Sequence, residues 1–326
     1  MNHHTIVGLR ELARVDARPR PLVWWLTDKA LALLQNTRVQ VVLENDPPLT
    51  EPVLFAMNHS HYFDFMPSRR ALWAQRQIQT VGFVKARAYQ NRLEAPFIKT
   101  IGNVPLVSRG YLISADFAAL HGRKPTDDEY RSLREHVDHG APLPDASVYR
   151  ALEGQPRDML DLTYDPKIAC YRDAIQQRYA SGMAASVAQA RAVLDAGVSL
   201  HIYPQGLYST RLSRGRIGTV EFALALDVPI VPVGFSGMNE CFRKHEMVPH
   251  RAGVLTMRFG RPRRVTRPEL VDFRPFVPAD EQRLRDVLEH ETRTLMDEIN
   301  ALLDPAYRWG DDLDGDGLEG VARFFD

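Results

Sequence analysis

The sequence predicts an α/β domain, a layered mixed sheet flanked by helices and carrying a helical insertion. Three observations lead there. Short apolar, β-branched runs alternate with longer segments of helical spacing. Some of the runs are apolar along nearly their whole length, as in TVGFVK (80–85) and VPIVPV (228–233), the pattern of strands buried in a sheet. Turn signals such as Asn45-Asp46-Pro47-Pro48 and the stop at Gly197 separate the segments.

Taken in order, Pro21 to Asn36 reads as a helix with Leu22, Trp25, Leu26, Ala30, Leu33 and Leu34 along one side. Arg38 to Glu44 alternates around Val39, Val41 and Leu43, a strand, and Pro52 to Met57 is a second. Ser68 to Gln77 is helical, Thr80 to Lys85 a strand, and Leu93 to Thr100 helical again. Helical spacing through Val187, Ala190, Val193 and Leu194 predicts a helix over 181–196, ended by Gly197. Val198 to Tyr203 is a strand, Thr219 to Leu226 a short helix, and Val228 to Val233 and Gly253 to Phe259 are strands. Ala279 to Leu303 reads as one long amphipathic helix.

Ser114 to Ala180 breaks this rhythm. It is polar and punctuated by Gly and Pro, and reads as a helical insertion in which Thr126 or Asp127 caps a helix ending near Gly140. Both a cap over the active site and a neutral surface elaboration fit it. The predicted organisation is an N-terminal segment (1–36), a main domain (37–303, with 114–180 inserted) and a tail (304–326). The tail carries Asp311, Asp312, Asp314, Asp316 and Glu319. Asp312 to Gly317 matches the first half of a calcium loop, but its twelfth position is Arg323 rather than a glutamate, so the tail is read as acidic.

The chain has 326 residues, with 41 Lys plus Arg balanced by 41 Asp plus Glu, so no global charge argues for nucleic acid as a partner. Cys170 and Cys241 lie far apart and form no CxxC, which fits a reducing, cytoplasmic compartment. No stretch approaches the roughly 20 apolar residues of a membrane span. Arg10, Arg14, Arg18 and Arg20 precede Trp24 and Trp25, and this combination suits a helix lying in a headgroup layer, peripheral on the inner face of the plasma membrane. The same helix packed on the domain, its tryptophans in the core, fits equally.

The candidate chemistry sits in Asn58-His59-Ser60-His61-Tyr62-Phe63-Asp64. An imidazole held by a carboxylate is a general base near neutral pH, because the carboxylate fixes the tautomer and stabilises the imidazolium. Five positions on a regular helix turn through about 140°. The pair therefore works only with His59 in a strand-to-helix turn and Asp64 in the first helical turn. His61 has no carboxylate at the matching offset, since position 66 is methionine, and is read as structural.

Four blocks stand in order: NHSHYFD (58–64), GNVPLVSR (102–109), YPQGLYS (203–209) and VPIVPV (228–233). Together they resemble the glycerolipid acyltransferase superfamily, typified by 1-acylglycerol-3-phosphate acyltransferases. Its blocks are NHxxxxD, a Gly-x-x-Phe-x-x-Arg type, Phe-Pro-Glu-Gly-Thr-Arg-Ser and VPIVPV. The resemblance covers about Arg38 to Leu303 apart from the insertion. It implies transfer of a fatty acyl group from coenzyme A or acyl carrier protein to the hydroxyl of a lysophospholipid or related acceptor, with no cofactor and no metal. His59 would be the base and Asp64 its orienting partner, with direct attack and no acyl-enzyme.

By the same resemblance, Arg109 after the Gly102 turn would bind an acceptor phosphate. Gln205 and Gly206 would meet substrate, and Pro204, Pro229 and Pro232 would shape the wall of the site. The third block departs from the pattern at Gln205, Leu207 and Tyr208, where the family has Glu, Thr and Arg. Gln205 keeps an acceptor but no charge, and either Arg211 or Arg216 would replace the missing arginine or the acceptor would carry less phosphate than lysophosphatidic acid. Two other readings stand beside this one. One is a lipid- or acyl-thioester-binding protein of the same fold with weak or no catalysis. The other is a metal-dependent hydrolase using His59, His61 and Asp64, whose register fails the His-x-His-x-Asp-His pattern at Phe63 and Phe65.

Overall fold

The computed structural model describes residues 8–18, 29, 39–90, 94–244 and 246–310. The predicted helix at 21–36 and the acidic tail from Asp311 lie outside them, Lys29 apart. Seven strands form one mixed sheet: β1 (Val39–Glu44), β2 (Leu54–Met57), β3 (Thr80–Lys85), β4 (Asn103–Leu106), and, numbered past a hairpin in the insertion, β7 (Ser199–Ile202), β8 (Ile230–Ser236) and β9 (Gly253–Phe259). Their order is β1-β9-β8-β2-β7-β3-β4. All neighbours pair parallel except β8 and β9, so β1 and β9 run against the other five strands.

Sheet burial follows from alternation. Leu54 and Ala56 of β2 join the apolar core on one face, with Leu200, Ile202 and Ile230. Phe55 and Met57 join the core on the other face, with Val231, Val233, Leu255 and Met257. Strands covered on both sides read as continuous apolar runs, which is why β2 and β8 carry no polar alternation.

Along the chain the helices are α1 (Leu9–Ala13), α2 (Phe65–Arg76), α3 (Glu94–Ile101), α4 (Arg109–His121), α5 (Asp127–His139), α6 (Ser147–Gly154), α7 (Tyr171–Asp195), α8 (Gly218–Leu226), α9 (Met238–Cys241), α10 (Pro278–Arg283) and α11 (Arg285–Leu302). Helix α2 covers β1 and β3 on one face, while α7 and α11 cover β4, β7 and β8 on the other. Helix α5 begins with a full capping box: the Thr126 hydroxyl accepts from the Glu129 N–H, and the Glu129 carboxylate accepts from the Thr126 N–H. It ends at Gly140 in the left-handed conformation, as its sequence predicts.

Three elements differ from expectation. Helix α7 starts ten residues before the predicted 181, because Tyr171, Ala174, Ile175 and Tyr179 extend its buried face through Arg178. Arg178 is buried too, its guanidinium donating to the carbonyls of Met159, Ala174, Leu162 and Thr163. The long helix predicted at 279–303 breaks at Leu284, where φ and ψ leave the helical region, giving α10 and α11. The insertion also holds a two-stranded hairpin, β5 (Arg157–Met159) and β6 (Leu162–Tyr164). Both expected insertion boundaries, 114 and 180, fall inside helices whose apolar faces belong to the main core.

No helix among the described residues is long and apolar enough to cross a membrane.

Candidate active site

Strands β2, β7 and β8 lie side by side and parallel, so the chain leaves all three at one edge of the sheet. The carboxyl ends of parallel strands are where open α/β sheets place their ligand crevice. His59 leaves β2 there, and Tyr203 to Gln205 leave β7 beside it.

The turn from Asn58 to Asp64 is built around one carboxylate. Asp64 directly precedes α2 and is 1% exposed. Its Oδ2 lies 2.9 Å from His59 Nδ1 and accepts the N–H groups of Ser60 at 3.1 Å and His61 at 3.3 Å. A carboxylate is acceptor-only, so the shared proton sits on Nδ1 and the lone pair on Nε2. The His59 side chain is 17% exposed. A base with one nitrogen held and the ring reaching solvent is the arrangement that general-base catalysis needs.

Two strand ends lock this turn in place. The Asn58 side chain donates to the Phe235 carbonyl at 3.0 Å and accepts the Phe235 N–H at 2.7 Å, extending the β2–β8 ladder by one rung. Gln205, 3% exposed, accepts the His59 N–H on Oε1 at 2.8 Å and donates from Nε2 to Ser213 Oγ at 2.8 Å. Ser209 N–H donates to the His59 carbonyl at 2.7 Å. Gln205 thus holds the backbone of His59, and its amide is engaged on both sides. This revises the expectation that it meets substrate. A neutral amide suits the position, because it accepts from one neighbour while donating to the other.

Pro204 and Gly206 form the tight turn that was expected. Gly206 N–H donates to the Tyr203 carbonyl at 3.0 Å, and Gly206 has φ +72°, a conformation glycine adopts without strain. Arg216 N–H closes the loop on the Pro204 carbonyl at 2.8 Å. Arg211 is exposed and lays its Nε on the Arg308 carbonyl at 3.1 Å, along the C-terminal segment.

Other expected contacts are placed elsewhere. Gly102 precedes β4, at the amino end of the strand, level with Val81 and Leu200. It is therefore about five strand rises, roughly 16 Å, from the level of His59. Its φ is +73°, and a Cβ there would meet the Ala17 carbonyl oxygen at 2.7 Å, so its role is to let the N-terminal segment pack. Pro229 lies one residue before the Leu54–Ile230 pair, about 20 Å along the sheet from His59, which removes it from the wall of the site. Pro232 is a buried sheet position opposite Ala56, with its carbonyl accepting the Gly260 N–H at 2.8 Å.

Arg109 opens α4, at the same edge of the sheet but three strands from β2. Its Nη2 is 2.7 Å from Glu281 Oε2, its Nε donates to Gln176 at 2.8 Å, and its guanidinium lies 3.9 Å over the Tyr179 ring. This fork is held by an internal ion pair rather than presented to a phosphate. His61 is structural, as its sequence context suggests. Its Nδ1 accepts the Phe63 N–H at 3.1 Å, so Nε2 carries the proton and donates to the Arg243 carbonyl at 2.9 Å. With both nitrogens engaged, His61 has no lone pair for a metal ion, and no group of three His, Cys, Asp or Glu among the described residues is placed to hold one.

Aromatic rings surround His59. Tyr203 stacks on His59 at 4.1 Å and 16°, while Tyr208 stands edge-on to it at 5.9 Å. Tyr62, 42% exposed, is edge-on to Tyr208 at 6.2 Å, and Lys244 Nζ lies 5.9 Å above the Tyr208 ring. The sequence does not mark Asn58, Tyr203, Ser209 or Ser213 as site residues. All four lie in or beside the quoted blocks, but nothing in their spacing distinguishes a ladder rung or a stacked ring from ordinary core.

No protein-family model matches the chain, and no curated protein sequence matches it significantly. Among solved structures it is similar to the crystal structure of the 1-acyl-sn-glycerophosphate (LPA) acyltransferase, PlsC, from Thermotoga maritima. Identity is 14%, the match covers 89% of this chain and 81% of that one, and the TM-score is 0.42.

The Arg109 ion pair sits beside a second carboxyl, Glu221, which accepts the Phe276 N–H at 2.8 Å. Burial, and then the charge of Glu281, push Glu221 up to about 8, against the pull of that N–H, Arg109 and Arg285. The folded protein therefore keeps a proton that the unfolded chain releases above about pH 4.3. Stability is unaffected below that value and falls as pH rises from there to about 8. Glu221→Gln keeps the acceptor for Phe276 and removes the titration. It is expected to raise Tm by a few degrees at pH 8 and by less at pH 5, measured by thermal denaturation across that range.

Proposed function

We propose that the protein is an acyltransferase that moves a fatty acyl group from acyl-coenzyme A or acyl carrier protein to the hydroxyl of a lysophospholipid or related glycerolipid. The observation that carries the reading is the 2.9 Å contact between His59 Nδ1 and the buried Asp64 carboxylate, at the carboxyl edge of the parallel strands. The four ordered sequence blocks support the substrate class.

The chemistry follows from the dyad. An alcohol is too weak an acid to ionise alone at neutral pH, so its proton must leave as it attacks. The acceptor hydroxyl donates to His59 Nε2, and its oxygen attacks the thioester carbonyl carbon while the proton passes to the imidazole. Asp64 stabilises the imidazolium. The tetrahedral intermediate then expels the thiolate, which takes the proton from His59. An oxygen ester and a free thiol are the products, and the base returns neutral.

The aromatic lip of Tyr62 and Tyr208 offers apolar surface beside the base, and Lys244 adds a cation at the same place. An anionic headgroup would meet Lys244, with Arg211 on the adjoining loop. Arg109 would bind phosphate only by giving up Glu281. The arginine- and tryptophan-bearing segment 1–36 suits a protein that works at the inner face of the plasma membrane.

A binding protein of the same fold without turnover is the competing reading, and the intact dyad favours the enzyme. His59→Ala is expected to lower transfer to a lysolipid by about three orders of magnitude with the fold intact, as measured by circular dichroism and product mass spectrometry. Asp64→Asn loses the acceptor that fixes the tautomer and is expected to fall nearly as far. Near-normal turnover in the His59 variant would remove His59 as the base.

A further inference from the structure

The general base has a third component that the sequence blocks do not announce. In the resembled family the third block begins with phenylalanine; here it begins with Tyr203. Tyr203 precedes Pro204, which restricts it to extended backbone, so it continues the alternation of β7. Leu200 and Ile202 belong to the core on one face of the sheet, and Tyr203 packs with the core on the other. That is the face that α2 covers.

Its ring lies against the His59 imidazole at a centroid distance of 4.1 Å and an interplanar angle of 16°. A face-on stack at that distance fixes the plane of the imidazole, and any planar apolar ring would do the same. The hydroxyl adds something a phenylalanine lacks. It is buried beside the Asp64 and Ser68 side chains, with Arg69 close by, and makes no well-aligned hydrogen bond to any of them. Asp64 Oδ1 is likewise buried and unpartnered, because the three N–H contacts to this carboxylate all fall on Oδ2. Of the other nearby groups, Ser68 Oγ already donates to the Asp64 backbone carbonyl at 2.9 Å.

Two adjacent orphans, one a donor and the other acceptor-only, satisfy each other with a small rotation. Arg69 lies behind them on α2, buried, with Nη2 donating to the Ile101 carbonyl at 3.2 Å. Burial pulls Arg69 down to about 10, and the neighbouring Tyr203 acts against that pull. His201 stands edge-on to Tyr203 at 5.8 Å and fits only because residue 82 is glycine: a Cβ there would meet its Nε2 at 2.5 Å. Burial and the charge of Arg69 hold His201 neutral. The layer beneath the dyad is therefore polar and closely built.

We infer that Tyr203 is a positioning residue for the base, its ring fixing the His59 plane and its hydroxyl donating to Asp64 Oδ1 while Oδ2 holds Nδ1–H. This rests on the acyl-transfer reading for its purpose, though not for its geometry. When His59 takes the acceptor's proton, the carboxylate is pinned at both oxygens and cannot swing away from the imidazolium. The Tyr203 proton stays on Tyr203 throughout. Compared with the resembled block, the chain has an added hydroxyl beneath the dyad at Tyr203 and a neutral amide at Gln205 in place of glutamate, two differences in the hydrogen-bond donors around the base.

Tyr203→Phe keeps the stack and removes the hydroxyl, and it restores the residue of the resembled block, so the fold is expected to survive. Two quantities test it: kcat and KM for transfer from acyl-coenzyme A to a lysolipid, and the exchange with water of the His59 Nδ1–H proton seen by NMR. The expected result is kcat lower by about tenfold, the loss of one hydrogen bond at the transition state, with KM unchanged and Nδ1–H exchanging faster. Tyr203→Leu, which also removes the stack, is expected to fall further in kcat and to lose the Nδ1–H signal. Wild-type kcat together with wild-type exchange in Tyr203→Phe would overturn the assignment. If the wild-type protein transfers no acyl group, the acyl-transfer reading fails, and the comparison of Nδ1–H exchange still decides the role of Tyr203.

Discussion

A buried carboxylate with three N–H groups pointing at one oxygen is the constraint on which the site depends. Asp64 is 1% exposed, and an ionised carboxyl so placed is stable only when its charge is met by donors. The five-residue turn from His59 supplies them: two backbone N–H groups and the imidazole Nδ1–H. Charge burial and turn geometry are therefore one requirement. A chain that folds Asp64 into the head of α2 has also set the tautomer of His59.

The turn does not stand alone. Asn58 ties it to β8, and Gln205 and Ser209 tie it to the loop after β7. Three parallel strand ends thus fix the turn that carries one imidazole, through two side chains bonded to backbone and one backbone–backbone bond. On the acyl-transfer reading, the parts that perform chemistry are local and the parts that recognise the acceptor are scattered over distant elements. The departures from the resembled pattern, at Gln205 and Tyr208, and the engagement of Arg109 by Glu281, all fall on the recognition side or in the support of the base.

This division also explains what the sequence disclosed. Strands 80–85 and 253–259 were legible because a doubly covered or alternating run has few other interpretations. The start of α7 was obscured by Arg178 and Gln176, polar residues on a helix whose partners lie in the insertion hairpin, on α4 and on α5. The break at Leu284 leaves the amphipathic spacing on either side intact, so periodicity alone runs through it. His59 and Asp64 were readable because five residues contain both partners. The Arg109 ion pair was not legible because Glu281 lies 172 residues away, nor the placement of Gly102 and Pro229, because a motif's order in the chain does not say at which end of a strand each member falls. Tyr203 was hidden for a similar reason: a stack on His59 is a property of two strand ends that meet only in the folded sheet.

The central claim is that His59 activates the acceptor's own hydroxyl, so the acyl group passes from thioester to acceptor without residing on the protein. The most direct measurement mixes the protein with isotopically labelled acyl-coenzyme A or acyl carrier protein, with and without a panel of lysolipids, and follows the label by mass spectrometry of lipid and intact protein. The account predicts label in a new acceptor ester, appearing only when acceptor is present, and an unmodified protein at every time. Label bound covalently to the protein, or released solely as free fatty acid in the presence of every acceptor, would contradict it.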